Sequence, residues 1–302
     1  MNTMKKYIYE SYLRPGLNWS LDTRQKVSHE LRGIAKICLG SVPEYQCLSN
    51  SRAAFDNNIL IIAREKQSNK AVAFTSGLLL EIDDTIGTIF HTGLSCVLPE
   101  AQRQGLSHVL FGEVALRLFT AYPNGIWFTN LACLPSSLGN ISLAAHNMFP
   151  SPRMTAPTDT HLRIARAIST SHRADMLISE KATLDPTTFV FHNSNPQDSP
   201  FCKTPGDPKI QHRQPRFNDF YNQLLGETPG NEVLQVGFCN PFTWLLICTI
   251  SLKDPRYLHL LLVNATVYLR NRLVRNIRSL YWISAFVIVL LLFYSIYLTS
   301  LE

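Results

Sequence analysis

One stretch of the chain, residues 88–119, constrains the fold more than any other part of the sequence. Residues 88–98 are apolar, rich in β-branched and aromatic side chains, and too few to cross a membrane, so we predict a buried strand. Pro99 ends this strand because it has no N–H group to donate. From Leu106 onward, apolar residues recur at spacings of three and four, which indicates a helix. The stretch therefore predicts a strand, a tight turn and a helix.

The turn before this helix has the chemistry of an anion site. Free backbone N–H groups at the start of a helix, together with the helix dipole, favour a bound anion. Gly105 has no Cβ, which lets a phosphate approach the backbone closely, and the small side chain of Ser107 keeps the next position open.

The flanking segments predict a sheet interleaved with helices. We expect a strand over residues 7–12, a helix that is capped by Ser20 and ends at Leu39, and strands over residues 59–63 and 71–82. Short polar turns between these strands and the central one favour an antiparallel meander. The strand expected after the central helix should be parallel to the central strand, because it returns through a helix. Further elements are predicted at residues 125–131 (strand), 135–147, 163–178 and 216–225 (helices), and 189–192 and 233–238 (strands).

Composition limits the class of partner. The net charge is +6 over 302 residues, but +4 of it lies in residues 253–302. The rest of the chain therefore has no basic stripe of the kind that marks a nucleic-acid surface, and we expect no nucleic-acid partner. The seven cysteines are odd in number, form no CxxC pair and match no strong metal-site spacing, so free thiols in a reducing compartment are expected and no metal.

Residues 280–298 differ in kind from the rest. They form an uncharged, strongly apolar run close to the ~20 residues needed to cross a bilayer, with aromatic residues toward both ends. Four arginines precede the run, within a basic segment at residues 266–279 that can attract anionic lipid headgroups. The positive-inside rule then keeps residues 1–279 in the cytosol. We predict a single-pass transmembrane helix; a buried core helix is the alternative.

Residues 97–107, with the sequence VLPEAQRQGLS, resemble motif A of the GCN5-related N-acetyltransferase (GNAT) superfamily. That motif is a strand ending in Val-x-Pro, then [Gln/Arg]-x-x-Gly-x-[Gly/Ala], then a helix. Gln102 and Gly105 match it, while Ser107 stands where the family has Gly or Ala. The order of three strands, turn, helix and strand over residues 50–150 also resembles that fold. The alternative is a strand-turn-helix unit in which Gly105 serves only the geometry of the turn.

The resemblance implies that the cofactor is acetyl-CoA or a longer acyl-CoA. Backbone groups of Cys96 to Leu98 would face the pantetheine arm, and N–H groups from Arg103 to Ser107 would hold the pyrophosphate, with positive charge added by Arg103. The implied cofactor-binding residues are Cys96, Val97, Leu98, Gln102, Arg103, Gln104, Gly105, Leu106 and Ser107.

The resemblance also implies direct acyl transfer to an amine, which requires a base and a proton donor. His91 is the candidate base: it lies six residues before Val97, where histone acetyltransferases of the superfamily carry a glutamate. Simple alternation puts His91 on the face opposite Cys96 unless a β-bulge intervenes, and a buried structural histidine is the alternative. The family commonly has a Tyr proton donor on the helix after the fifth strand. This chain has none there, so His146 is the candidate.

We therefore predict an α/β (α+β) fold, with a GNAT-like mixed, mostly antiparallel sheet flanked by helices and one C-terminal transmembrane helix. The predicted divisions are an acyl-CoA-binding core (1–150), an extension that completes the sheet and the acceptor side (151–265), the basic juxtamembrane segment (266–279) and the membrane span (280–298). The predicted function is transfer of an acyl group from acyl-CoA to an amine on a small molecule, a lipid-like molecule or a protein, beside a lipid bilayer. The alternative functions are a catalytically inactive acyl-CoA-binding module and a tail-anchored adaptor.

Overall fold

A computed structural model of the chain describes residues 6–145, 147–196, 199, 201, 202 and 207–240. Within these residues, one sheet of eight strands carries helices on both faces. The strands are β1 (Tyr7–Leu13), β2 (Asn58–Glu65), β3 (Ala71–Glu81), β4 (Thr88–Val97), β5 (Ile126–Ala132), β6 (Thr183–Leu184), β7 (Val190–His192) and β8 (Glu232–Cys239). The helices are α1 (Leu21–Leu39), α2 (Leu106–Ala121), α3 (Pro135–Ile141), α4 (Asp159–Ser171) and α5 (Pro215–Leu225).

The strands lie in the order β1-β2-β3-β4-β5-β8-β7-β6. Every neighbouring pair is antiparallel except β4 and β5, which are parallel. The predicted meander, the parallel return through α2 and the mixed, mostly antiparallel sheet flanked by helices are confirmed. Because β8 lies beside β5, residues beyond 150 belong to the same sheet as the predicted core.

Three helix boundaries differ from the sequence prediction by four residues or more. Helix α3 ends at Ile141 rather than at residue 147, since the chain leaves the helix to pair with β8: Phe149 N donates to Val236 O (2.9 Å) and Val236 N to Phe149 O (2.7 Å). Helix α4 spans Asp159–Ser171 rather than residues 163–178, and it ends where the chain turns at residues 173–177. Its start is set by a capping box in which Thr158 and His161 bond each other's backbone N–H, a role in which Glu or Gln is usual.

Alternation along β1 separates the helices that flank the sheet. The Glu10 side chain lies with α1, because both Glu10 and Glu30 of α1 bond the Arg64 guanidinium. The neighbouring side chains point the other way: Tyr7 bonds Gln104 just before α2, while Ser11 accepts from Arg117 of α2. Helices α1 and α2 therefore lie on opposite faces, which we call the front face (α1) and the back face (α2).

Successive residues of β8 assign the remaining helices. Leu234 and Val236 pack with residues of α4, together with Leu78 of β3. Val233, whose side chain points the other way, packs between α3 and α5. Front-face residues of β3 pack with α4, so α4 lies on the front face, and α3 and α5 lie on the back face.

No helix in the described part of the chain is both long and apolar enough to cross a membrane. The predicted juxtamembrane segment and membrane span lie outside the described residues.

Candidate functional site

The parallel strands β4 and β5 diverge soon after they meet. Their ladder consists of two residue pairs, Phe90 with Phe128 and His91 with Thr129. Beyond these pairs, β4 continues along β3 and β5 continues along β8. The Thr92 hydroxyl donates to Asn130 Oδ1 (2.8 Å) just past the last pair. The backbone ladder between β4 and β5 therefore ends at His91, and we call the region between the two strands beyond this pair, toward their carboxyl ends, the gap.

A β-bulge in β4 lies at the closed end of this gap. The partners of His91 and Cys96 on β3 are Leu78 and Phe74, so five steps along β4 match four along β3. His91 and Cys96 therefore lie on the same front face, and the opposite-face arrangement expected from simple alternation is wrong. Gly93 lies within the bulge, where a Cβ would collide with the Gln46 side chain.

The edge of β4 beyond the bulge presents backbone groups to the gap. Leu98 N donates to Val72 O of β3 (2.9 Å), so the backbone groups of Val97, one residue earlier, point away from β3. Val97 O accepts from Gln102 Nε2 (3.1 Å) and from the Cys38 thiol (3.4 Å). Of the three residues predicted to face a cofactor, Val97 points its backbone into the gap. The backbones of Cys96 and Leu98 are directed toward β3.

The start of α2 presents backbone N–H groups that no side chain caps. Gly105 is the N-cap residue and has a left-handed backbone (φ 76°). Because glycine has no side chain, it cannot form a capping hydrogen bond. The first bonds to its carbonyl come from His108 N (3.1 Å) and Val109 N (3.4 Å), so the N–H groups of Leu106 and Ser107 precede the first helical hydrogen bond. A Cβ placed on Gly105 would find no described atom within 4 Å. The space beside this helix start is open.

The two glutamines of the motif shape the turn with their side chains. Gln102 bonds Val97 O, as described above, and Gln104 Nε2 donates to Glu100 O (3.0 Å). The Tyr7 hydroxyl of β1 donates to Gln104 Oε1 (2.8 Å). Arg103, between them, is exposed to solvent and has a left-handed backbone (φ 60°). These contacts hold the turn that presents the N–H groups of α2.

His91, the predicted base, is buried and engaged at both ring nitrogens. Its Nδ1 lies 3.0 Å from Thr129 Oγ1, and its Nε2 lies 3.2 Å from the Tyr45 hydroxyl. Burial, with a smaller contribution from the nearby His172, lowers the pKa of His91 to about 3. The ring is therefore neutral near pH 7. Its catalytic role remains a prediction, and His146, the other predicted catalytic residue, lies outside the described residues.

Tyr45 and Gln46 belong to the site and were missed from the sequence. Gln46 Nε2 donates to the Tyr45 hydroxyl (2.8 Å), and the Ser76 hydroxyl donates to Gln46 Oε1 (2.6 Å). With His91 they form a chain of polar groups on the front face of the bulge. They come from the connection between α1 and β2, which has no motif or apolar period by which the sequence could have marked them.

Glu232 was also missed, because the sequence predicts β8 from Val233 onward. The strand begins at Glu232, whose residue surface is only 8% exposed. The Ser194 hydroxyl donates to its Oε2 (2.6 Å), and burial raises the pKa of the carboxyl group. Burial raises the pKa of Tyr45, and the nearby charge of Glu232 raises it further. An acidic residue directly before an apolar run is easily taken for part of an exposed turn.

A second polar network fixes the back face behind β5. Asn130 Nδ2 donates to Gln235 Oε1 (3.0 Å), and Gln235 Nε2 donates to the Tyr221 hydroxyl (2.7 Å). The Tyr221 hydroxyl also bonds Ser142 Oγ and donates to Pro150 O (3.0 Å). This network joins α3, α5 and β8 to β5, and so fixes the position of the strand that forms one side of the gap.

No protein-family model matches the chain, and no curated protein matches it in sequence. Solved structures do match parts of it. A possible acetyltransferase from Clostridium difficile 630 is 15% identical, with 36% of this chain and 68% of that one covered and a TM-score of 0.26. A GNAT family N-acetyltransferase from Escherichia coli, in complex with CoA, is 9% identical, with coverages of 45% and 68% and a TM-score of 0.33.

A third match is a GNAT superfamily phosphinothricin acetyltransferase from Sinorhizobium meliloti, in complex with AcCoA. It is 12% identical, with 47% of this chain and 77% of that one covered and a TM-score of 0.31. At these identities and TM-scores, the likeness assigns neither an activity nor a substrate to this chain.

Proposed function

We propose that this chain binds acyl-CoA in the gap between β4 and β5 and transfers the acyl group to an amine. The observation that carries the proposal is the meeting of two features at one place. The gap extends toward the carboxyl end of β4, and the uncapped start of α2 follows that end after a short turn. The resemblance of residues 97–107 to motif A supports the same reading.

The residues present suit the parts of acyl-CoA. The N–H groups of Leu106 and Ser107, with exposed Arg103, would hold the pyrophosphate, and the open space at Gly105 permits its close approach. The Val97 N–H would donate to a pantetheine carbonyl in the gap, because Val97 O already accepts from Gln102 and Cys38. When bound, acyl-CoA supplies an activated thioester carbonyl for attack by the amine.

Acyl transfer requires an amine that has lost its proton, and His91 was predicted to remove it. Its low pKa and its two engaged nitrogens support a different role, because a good general base has a pKa near the working pH. In this proposal, neutral His91 holds the Tyr45 hydroxyl at the closed end of the gap. The proton donor for the leaving thiolate remains open, with His146 as the sequence-based candidate.

The binding proposal is tested by calorimetry of the full chain with CoA and acetyl-CoA, using a charge placed at the helix start. Ser107→Glu adds a carboxylate in the first turn of α2, where acidic side chains favour a helix. The same charge repels a pyrophosphate. We expect binding to weaken at least about tenfold, because like charges a few ångströms apart near a protein surface repel by a few kcal/mol.

Thr23→Glu is the matched control. Thr23 is exposed in the first turn of α1, where its N–H already bonds the Ser20 cap and a glutamate completes a capping box. This variant should bind CoA as the wild type does. Equal affinity of Ser107→Glu and the wild type, or no binding by the wild type, contradicts the proposal.

A catalytically inactive acyl-CoA-binding module is the second candidate, favoured by the neutral, fully engaged His91. Amide formation distinguishes the two, because a binding module binds acetyl-CoA without transferring the acetyl group to any amine supplied.

We also propose that residues 280–298 anchor the chain in a membrane with residues 1–279 in the cytosol. The uncharged apolar run and the arginines before it support this placement. An anchored site favours amine acceptors at or near a lipid surface.

A further inference from the structure

Glu232 is a buried carboxylate beside the end of the gap that lies away from His91. Leu234 and Val236 of the same strand pack on the front face, and alternation places Glu232 on that face too. Its neighbour Val233 pairs with Ala132, the last residue of β5. The carboxylate therefore lies on the front side of the sheet, at the level where β5 ends.

The groups around Glu232 connect it to the closed end of the gap. Tyr45 is close enough for the Glu232 charge to raise its pKa, and its hydroxyl contacts His91. The Phe201 ring packs against the Tyr45 ring, with centroids 5.9 Å apart, and Phe201 O accepts from the Cys133 thiol (3.1 Å). Aromatic rings and the end of β5 thus border the region between Glu232 and His91.

No basic side chain compensates the charge of this carboxylate in the described part of the chain. The groups that favour its ionised form are the Ser194 hydroxyl and the Asn195 side chain, both neutral. Arg64, the buried arginine of the front face, is engaged by Glu10 and Glu30 instead. A buried carboxylate without a counter-ion is unfavourable and is typical of a functional site. An ammonium group bound here would compensate the charge of the carboxylate.

We propose that Glu232 binds the ammonium group of the acceptor and takes its proton. This assignment rests on the proposed function, since it requires an amine acceptor. The proton moves from R–NH3+ to the carboxylate, leaving R–NH2 and a protonated Glu232. The amine nitrogen then forms a bond to the thioester carbon and the carbon–sulfur bond breaks. The second proton lost from nitrogen passes to the departing thiolate, so the products are the amide and CoA as the thiol, and Glu232 returns its proton to solvent.

Glu232 suits this role better than His91. The raised pKa of the carboxyl group brings it toward neutral pH, where proton transfer from an amine is most effective. The carboxylate keeps lone pairs beyond its bond to Ser194, because an ionised carboxylate accepts about four hydrogen bonds. The two ring nitrogens of His91 are already engaged.

The experiment uses the full chain with acetyl-CoA and two probe amines, benzylamine and putrescine. Calorimetry measures amine binding in the presence of CoA, and amide formation is followed across pH. For Glu232→Gln we expect unchanged affinity for CoA, amine binding at least tenfold weaker and kcat at least 100-fold lower. The residual rate should rise about tenfold per pH unit, because the amine must then lose its proton in solution. The wild-type rate should level off above the pKa of Glu232.

Two further variants keep the test decisive. Glu227→Gln removes an exposed carboxylate from the turn before β8 and should change none of these quantities. Ser194→Ala retains Glu232 but removes its hydroxyl donor, which raises the carboxyl pKa further and should move the acid limb of the pH profile to higher pH. A purely structural role for Glu232 would not shift that limb.

Failure of the proposed function and failure of the Glu232 assignment give different experimental results. A wild type that does not bind acetyl-CoA overturns the proposed function, whereas the amine-binding comparison still tests Glu232. A wild type that binds acetyl-CoA but neither binds nor acetylates the probe amines overturns the assignment of Glu232. Amide formation by Glu232→Gln with a wild-type rate and pH profile also overturns that assignment, and leaves the proposed function standing.

Discussion

His91 illustrates how far a single residue can be interpreted without its neighbours. Its position before Val97 was recognisable from the sequence. Its protonation state was not, because that depends on burial and on Thr129 and Tyr45, which come from distant segments. Burial disfavours the charged imidazolium and lowers the pKa of His91 to about 3.

This shift predicts how stability depends on pH. Above the unfolded-state pKa of 6.5, His91 is neutral in both states, so its contribution is fully present. As pH falls below 6.5, His91 binds a proton in the unfolded chain. In the folded chain it stays neutral until the pH approaches about 3. The free energy of unfolding should fall by up to about 1.4 kcal/mol per pH unit through this group.

Urea unfolding of the wild type and His91→Gln between pH 7.5 and 4.5 measures this contribution. Glutamine forms hydrogen bonds but does not titrate, so the wild type should lose stability more steeply than the variant below pH 6.5. Parallel curves would show that His91 binds a proton as readily in the folded state as in the unfolded state, and would contradict the lowered pKa.

At the scale of elements, Arg64 joins β2 to both β1 and α1. Its Nε bonds Glu10 Oε2 (2.9 Å), and its two terminal nitrogens bond the Glu30 carboxylate (3.0 and 2.8 Å). Hydrogen bonds from Arg64 hold the pKa of Glu30 below its usual value. The bidentate pair between Arg64 and Glu30 fixes α1 on the front face. The connection from α1 to β2 then contributes Tyr45 and Gln46 to the site.

Arg64→Met should lower the free energy of unfolding by about 2–3 kcal/mol, because two carboxylates are left facing each other without a cation. The figure is below that for fully buried pairs, since the Glu10 and Glu30 side chains are 31% and 30% exposed. Lys70→Met, which removes an exposed ion pair with Glu100, is the control and should change little. Equal urea midpoints for Arg64→Met and Lys70→Met would contradict the conclusion that Arg64 stabilises the packing of α1 and β1 against β2.

Elements were predicted well wherever a local pattern carries the information. The alternation and β-branched residues of β1 to β4 and the apolar period of α2 gave boundaries close to those observed. The end of α3 and the start of α4 were missed for physical reasons. The first depends on pairing between Phe149 and β8, and the second on a capping box completed by His161.

For the whole molecule, the membrane anchor is tested on the intact chain. Val289→Arg with Leu292→Arg places two charges near the middle of the apolar run, each at a cost of about 2.5–3.5 kcal/mol in a membrane. We expect the wild type to remain with the membrane fraction after alkaline carbonate extraction and the variant to be released. Leu298→Arg, at the end of the run, is the control and should behave as the wild type. Release of the wild type would contradict the anchor.

The sequence by itself determined the strand-turn-helix unit at residues 88–119, the order of strands around it and the glycine at the start of α2. These features depend on neighbours a few residues apart, where periodicity and the steric limits of Pro99 and Gly105 act directly. Only the tertiary structure decided which groups surround the gap. The bulge that places His91 and Cys96 on one face appears only in the pairing of β4 with β3. The burial of Glu232 on the front face requires β8 to lie against β5, about a hundred residues away in the chain, and no local sequence pattern predicts that pairing.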